Sequence, residues 1–166
     1  MKRVLLLVCI GSCVLLSFGQ YNRQDTLSDL IVHYNKGIDC KIIQTIDLAE
    51  SGRQIDSTWK IILIFDTNHV TIHLPIPDEE VKNFSLDSIR KTRHGIDLII
   101  SYGGGSFFIQ QIFKMEITNQ QQVLLHKIIS YNTWADSIIK RRTVKNIHPK
   151  HVFSEIELKA WLAVQW

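Results

Sequence analysis

Residues 103–131, GGGSFFIQQIFKMEITNQQQVLLHKIISY, decide the fold class of this chain. From residue 107 to residue 117, apolar side chains occupy nearly every second position, and the positions between them become polar toward the end. This period of two is typical of a half-buried antiparallel strand. Residues 119–121 are then a predicted hairpin loop, and residues 122–131 a strand that pairs back.

The glycine-rich run Gly103-Gly104-Gly105-Ser106 stands between two predicted strands. A phosphate-binding loop would need a following lysine and a helix N-terminus, and the sequence offers neither. We therefore expect a hairpin connection or a bulge at these glycines.

Further strands are predicted on both sides of this region. Residues 69–74 alternate between apolar and polar side chains, and residues 96–102 form another strand. The nearly continuous apolar run at residues 59–65 predicts a central strand that is buried on both faces. Residues 135–144 predict one more strand, whereas residues 84–91 fit either a strand or a helical turn.

Helical spacing appears near both ends of the predicted domain. Leu27, Leu30, Ile31 and Tyr34 recur at intervals that place them on one face of a short helix. Near the C-terminus, a capping-box spacing at Ser154 favours a helix over residues 155–164, and a strand is the alternative for that segment.

The pattern as a whole predicts one α+β domain over residues 20–166. Its sheet is expected to be an antiparallel meander of six or seven strands, because the predicted strands are joined mainly by short turns. A short N-terminal helix and a C-terminal helix complete this prediction.

Residues 1–19, MKRVLLLVCIGSCVLLSFG, have the pattern of an export signal. Lys2 and Arg3 precede an apolar segment that is shorter than the roughly 20 residues of a membrane-spanning helix. Small residues then precede a predicted cleavage site between Gly19 and Gln20. The predicted location is periplasmic or secreted.

Residues 10–13 resemble the lipobox of bacterial lipoproteins, in which a cysteine, here Cys13, is lipidated. The apolar residues that follow Cys13 favour cleavage after Gly19 instead, so an outer-membrane lipoprotein is the alternative and a membrane is a partner only if Cys13 is lipidated. The end of the segment resembles cleaved signals of the Bacteroidota. The remaining chain is similar to small exported β-rich proteins of unknown function from such bacteria, a resemblance that implies no activity.

Charge and cysteine content limit the ligands and the thiol chemistry that can be expected of this chain. The 19 Lys and Arg residues outnumber the 16 Asp and Glu residues, but loss of Lys2 and Arg3 would leave a difference of only one. Such a balance does not support nucleic-acid binding. Of the three cysteines, only Cys40 lies beyond the signal, and its apolar neighbours predict a buried thiol.

No catalytic, cofactor or metal site is predicted. His69 and His73 would lie about 13 Å apart on a strand, too far to share one metal ion. His148 and His151 flank a proline in a predicted loop without a recognised ligand motif. The sequence also has no Gly-x-Ser-x-Gly nucleophile motif.

One basic run stands near an aromatic residue and is the candidate partner site. It comprises Lys140, Arg141, Arg142, Lys145 and the nearby Trp134. Basic residues on an edge strand commonly prevent edge-to-edge aggregation, and this is the favoured explanation of the run. The alternative is recognition of an acidic surface, a glycan or an anionic lipid.

These observations favour a non-enzymatic exported module, binding or structural, whose partner is a protein or another envelope component. One alternative is a periplasmic immunity or inhibitor protein for a cognate toxin or enzyme. The other is a hydrolase whose site is assembled from scattered loops.

Overall fold

The computed structural model describes residues 23–34, 38–134, 141–153 and 155–163, in which ten strands form two five-stranded sheets. The first sheet contains, in spatial order, β1 (Arg23–Tyr34), β2 (Ile38–Leu48), β3 (Gln54–Ile64), β4 (His69–His73) and β10 (Glu155–Glu157). The second contains β5 (Ser85–Lys91), β6 (Gly95–Gly104), β7 (Phe107–Ile117), β8 (Val123–Trp134) and β9 (Arg141–Phe153). Neighbouring strands are antiparallel except β4 and β10, which are parallel.

The predicted α+β class, with one meander sheet and two helices, is therefore wrong. The meander itself is confirmed, but it is divided into two sheets that pack against each other. The apolar face of a sheet must be covered by another layer, and here a second sheet supplies that layer instead of helices. Buried side chains from both sheets form one core cluster, including Ile42, Leu63 and Ile72 from the first sheet and Ile100, Phe113 and Leu125 from the second.

The predicted N-terminal helix is replaced by β1, which pairs with β2. A β-bulge between Thr26 and Ser28 inserts Leu27 into the strand, and this extra residue makes the spacing from Leu27 to Leu30 look helical. Beyond the bulge the true period is two, since Ile31 is 58% exposed and Val32 is buried. Pairing along the whole strand satisfies more backbone groups than a marginal two-turn helix would.

The predicted C-terminal helix is also wrong for the residues described. Residues Glu155–Glu157 pair with Thr71–His73 as β10, and only a four-residue 3₁₀ helix, Leu158–Trp161, follows. Residues 84–91, ambiguous in the sequence, are mostly strand β5. Within the described residues there is no helix with the length and apolar character that a membrane crossing requires.

Burial on both faces occurs in β6 and not, as predicted, in β3. In β3, Ile61 and Leu63 are buried, whereas Ile62 is partly exposed and Ile64 is exposed on the outer face. Strand β6 lies second in its sheet and is buried along nearly its whole length. Its outward side chains, such as Ile99 and Ser101, are also buried, and the Ser101 hydroxyl donates to Asp87 Oδ2 of β5.

A chain of polar groups crosses the interior and holds the C-terminal segment. The Tyr102 hydroxyl donates to Gln111 Oε1 at 2.6 Å, and Gln111 Nε2 donates to Ser130 Oγ at 3.0 Å. The backbone N–H of Ala163 donates to both the Tyr102 hydroxyl and Gln111 Oε1, at 2.9 and 3.1 Å. The residues after the 3₁₀ helix are therefore bonded to the inner face of the second sheet.

Candidate functional site

Two large aromatic side chains stand half-exposed at one end of the second sheet. Trp134, the last residue of β8, is 50% exposed, and Phe108 at the start of β7 is 47% exposed. Trp134 also packs on Phe107, with ring centroids 4.9 Å apart and a tilt of 47° between the rings. Burying an aromatic ring stabilises the fold, so an aromatic side chain that remains half-exposed is a candidate for contact with a ligand.

The β6–β7 hairpin forms one wall beside these rings. It closes through the two residues Gly105 and Ser106, and Gly105 has a φ of +68°, as tight hairpin loops require. Asn83 Nδ2 donates to the carbonyl of Gly103 at 2.6 Å. A side chain at Gly104 would lie 2.9 Å from that same amide nitrogen, so glycine lets the loop approach Asn83. The predicted hairpin connection is confirmed.

The aromatic rings and this hairpin enclose a cleft of about 270 Å³, which we call the Trp134 cleft. Besides the three glycines of the hairpin, the residues that line it are Asn83, Ser106, Phe107, Phe108, Thr133 and Trp134. The polar groups among them are one amide and two hydroxyls, all uncharged, beside three aromatic rings. Such a lining can stack on a flat ligand surface and exchange hydrogen bonds with hydroxyl groups.

Two arginines of the predicted partner site lie beside this cleft. Arg141 is paired with Asn132 and Arg142 with Tyr131, so both stand next to the end of β8 that carries Trp134. Both side chains are exposed, and neither forms an ion pair with another described residue. Their strand, β9, is an edge of the second sheet, which agrees with the edge-protection explanation as well.

The remaining members of the predicted partner site do not join this group. Lys145 lies over the Trp161 ring, with its Nζ 5.7 Å from the ring centroid. Lys140 lies outside the described residues, as do Cys13 and the predicted cleavage residues Gly19 and Gln20.

Phe107, Phe108 and Asn83 were not predicted from the sequence as parts of a site. A signal for an exposed ring was present, because consecutive residues of a strand face opposite sides of the sheet and Phe107 and Phe108 therefore cannot both point into the core. Asn83 had no such signal. It reaches the glycine hairpin only because the loop before β5 folds against the end of β6.

His69, His73, His148 and His151 do not assemble into one metal-binding group. His73 Nε2 lies 2.8 Å from Glu155 Oε1, across the β4–β10 pair, while His69 is exposed. His148 and His151 lie within β9 and not in a loop, so that prediction is wrong, and His151 packs against Trp161. In the described residues, no three His, Cys, Asp or Glu side chains are close enough together to hold a metal ion.

Cys40 is buried in the core, as predicted. Burial raises the pKa of its thiol to about 12. Since the thiolate is the nucleophilic form, this side chain is inert at neutral pH.

A second cleft lies at the opposite end of β6 and β7, and the sequence analysis missed it. We call it the His94 cleft. It has a volume of about 400 Å³, and its charged or titratable walls are Arg93, His94, Asp97, Lys114, Glu116 and His126. These residues come from one hairpin turn and three strands, so no sequence spacing could have indicated that they converge.

Comparison with known proteins found no matching family model, no matching curated protein and no matching solved structure.

Proposed function

We propose that this protein is an exported, non-enzymatic binding module of the cell envelope, and that it holds an acidic polysaccharide at the Trp134 cleft. The half-exposed Trp134 is the observation that carries the proposal. The export-signal pattern of residues 1–19 supports the location, since it combines Lys2 and Arg3 with an apolar segment.

The cleft suits a sugar ring better than an extended apolar ligand. A pyranose presents a flat C–H face, which can stack on Trp134 or Phe108, and hydroxyl groups at its rim. Asn83, Ser106 and Thr133 supply uncharged donors and acceptors for those hydroxyls. The cleft volume of about 270 Å³ holds one such ring and leaves the rest of a polymer outside.

The two neighbouring arginines suit the acidic groups of the polymer. Arg141 and Arg142 are exposed and are adjacent to the residues that precede Trp134 in β8. A guanidinium binds a carboxylate or sulfate through two parallel hydrogen bonds. An acidic sugar next to the stacked ring would meet one of them.

Binding of the chain that begins at Gln20 to immobilised polysaccharides tests the proposal. A polymer of uronic acids and an uncharged glucan of similar length are the two probes. We expect saturable binding to the acidic polymer, a loss of about tenfold or more in Trp134→Ala, and a weaker salt dependence in the double variant Arg141→Gln, Arg142→Gln. Val152→Ala, which shortens an exposed apolar side chain of β9 outside the cleft, is the matched control and should bind normally.

Equal binding by the Trp134→Ala and Val152→Ala variants would show that the cleft does not hold the ligand. Failure of both polymers to bind the unmodified chain would reject polysaccharide recognition altogether.

A second candidate function, inhibition of a cognate toxin or enzyme, is favoured by the edge of the first sheet. Strand β1 is an edge strand and exposes Leu27, Leu30 and Ile31. An unpaired strand edge with apolar side chains can pair with a strand of another protein. A stoichiometric protein complex that is weakened by Ile31→Lys and unaffected by Trp134→Ala would favour this function over the first.

A further inference from the structure

The two carboxylates of the His94 cleft are already neutralised by lysines. Lys114 Nζ lies 2.8 Å from Asp97 Oδ2, and Lys150 Nζ lies 2.5 Å from Glu116 Oε2. The first pair joins the neighbouring strands β6 and β7, and the second joins β7 to β9 across the intervening strand β8. Neither carboxylate is therefore available as the main partner of a further cation.

Arg93 is a charged residue of this cleft that has no ion-pair partner among the described residues. Its side chain lines the cleft, and it forms no ion pair and no side-chain hydrogen bond with any other described residue. After the two lysine–carboxylate pairs are counted, the cleft keeps the positive charge of this guanidinium. Concave sites of one charge sign concentrate ions of the opposite sign.

Hydrogen-bond donors surround the same space. Thr92 contributes a hydroxyl, Arg93 five N–H groups, and His94 and His126 one ring N–H each when neutral. These donors come from the β5–β6 turn on one side and from β8 on the other, where His126 is the extra residue of the bulge in the β7–β8 pairing, opposite Lys114 and Met115. Donors on two sides of a cleft suit a tetrahedral group with several acceptor oxygens better than a planar carboxylate, which has two.

We propose that the His94 cleft binds a phosphate group, free or carried by a small phosphomonoester, with Arg93 as its charge partner. The cleft volume of about 400 Å³ is within the range of about 300–1,000 Å³ that is usual for small-molecule sites. The site is independent of the Trp134 cleft. Nine residue steps of roughly 3.3 Å along β6 separate the two by about 30 Å.

Protonation of His126 should make phosphate binding at this cleft depend on pH. Burial and the nearby Lys150 ammonium lower the pKa of His126. A bound phosphate would stabilise the imidazolium and so draw a proton onto His126 as the pH falls. The other charged or titratable groups facing His126 are those of the β5–β6 turn, β6, β7, β8 and β9: Arg93, His94, Asp97, Lys114, Glu116, Lys127 and Lys150.

Calorimetric titration of the chain beginning at Gln20 tests the proposal, with inorganic phosphate, glycerol phosphate and succinate as separate probes. We expect saturable binding of the phosphate probes and a loss of about tenfold or more in Arg93→Gln. Arg53→Gln, which removes the same charge from an exposed turn of the first sheet, should leave binding unchanged. Tighter binding of glycerol phosphate would identify a phosphomonoester as the ligand, and tighter binding of inorganic phosphate would identify the free ion.

A second measurement distinguishes phosphate binding at the His94 cleft from a general attraction between phosphate and the positive charges of the protein. Between pH 7 and pH 5.5, the phosphate affinity of the unmodified protein should rise relative to that of His126→Asn, because the protonation of phosphate itself in this range is common to both proteins and cancels in the comparison. The proposal is overturned by the absence of saturable phosphate binding, by equal losses in Arg93→Gln and Arg53→Gln, or by succinate binding as tightly as phosphate.

Discussion

Trp134 packs against Phe107 with ring centroids 4.9 Å apart, and half of its surface nevertheless remains in contact with solvent. The indole is thus held in place by a neighbouring ring while one face stays open. A side chain in this position contributes less to folding than a core aromatic residue, because less of its apolar area is removed from water. Folding and binding contributions can therefore be separated by experiment.

Trp134→Ala is expected to lower the free energy of unfolding by about 1–2 kcal/mol, because only half of the ring is buried. Phe113→Ala, at a fully buried position of β7, is expected to lower it by about 3–5 kcal/mol. Urea unfolding of both variants measures the difference. If Trp134→Ala is as destabilising as Phe113→Ala, the ring belongs to the core and its exposure has no functional meaning.

The interior bonds of Gln111 predict a second pair of variants. Gln111→Ala removes both the acceptor and the donor that link Tyr102, Ser130 and the backbone of Ala163, and it leaves a cavity. We expect a loss of about 3 kcal/mol. Tyr102→Phe should cost only about 1 kcal/mol, since Ala163 N–H keeps its bond to Gln111.

Hydrogen exchange at the Ala163 amide distinguishes this network from simple core packing. The exchange rate should rise strongly in Gln111→Ala and only slightly in Tyr102→Phe. An unchanged rate in Gln111→Ala would mean that the C-terminal segment is held by other contacts.

The lowered pKa of His126 predicts how stability depends on pH. Its folded-state pKa lies below the ordinary value of about 6.5 that it has in the unfolded chain. The unfolded state therefore takes up the proton first as the pH falls. The contribution of neutral His126 to the free energy of unfolding is fully present above about pH 6.5. It is lost as the pH falls through the folded-state pKa of His126.

Melting temperatures between pH 7.5 and pH 5 measure this effect. We expect the decrease toward pH 5 to be smaller in His126→Asn than in the unmodified chain. His69→Asn, a substitution at an exposed histidine of β4, is the control and should keep the original pH dependence. An identical slope in all three proteins would contradict the assignment to His126.

Local patterns predicted strands in both sheets, including residues 59–65 and 69–74 of the first, whereas the segments of β1 and β10 were expected to be helical. The β7–β8 hairpin follows from alternation and a short loop, both of which are visible within 25 or so consecutive residues. Strand β1 was mistaken for a helix because the bulge at Leu27 changes the period in the middle of the strand. Strand β10 could not be inferred, since its partner β4 lies about 80 residues earlier and three residues carry little pattern of their own.

The residues of the candidate sites likewise divide into those that are close in sequence and those that only the fold brings together. Trp134, Arg141 and Arg142 are close in sequence, and the β8–β9 pairing keeps them close in space. Lys145 belongs to the same basic run, yet it lies over Trp161, a contact that no spacing indicates. The His94 cleft draws on the β5–β6 turn, β6, β7 and β8, and only the register of the sheet brings these residues together.

The parallel pairing of β10 with β4 also sets the order in which the fold can be completed. The four earlier strands of the first sheet have all left the ribosome long before Glu155–Glu157 are synthesised, yet one edge of that sheet stays open until these three residues arrive. Contacts between such distant segments form slowly, because a long loop must close first. Strand β10 thus completes the first sheet, and in a nascent chain that lacks it the edge of β4 that faces away from β3 stays unpaired.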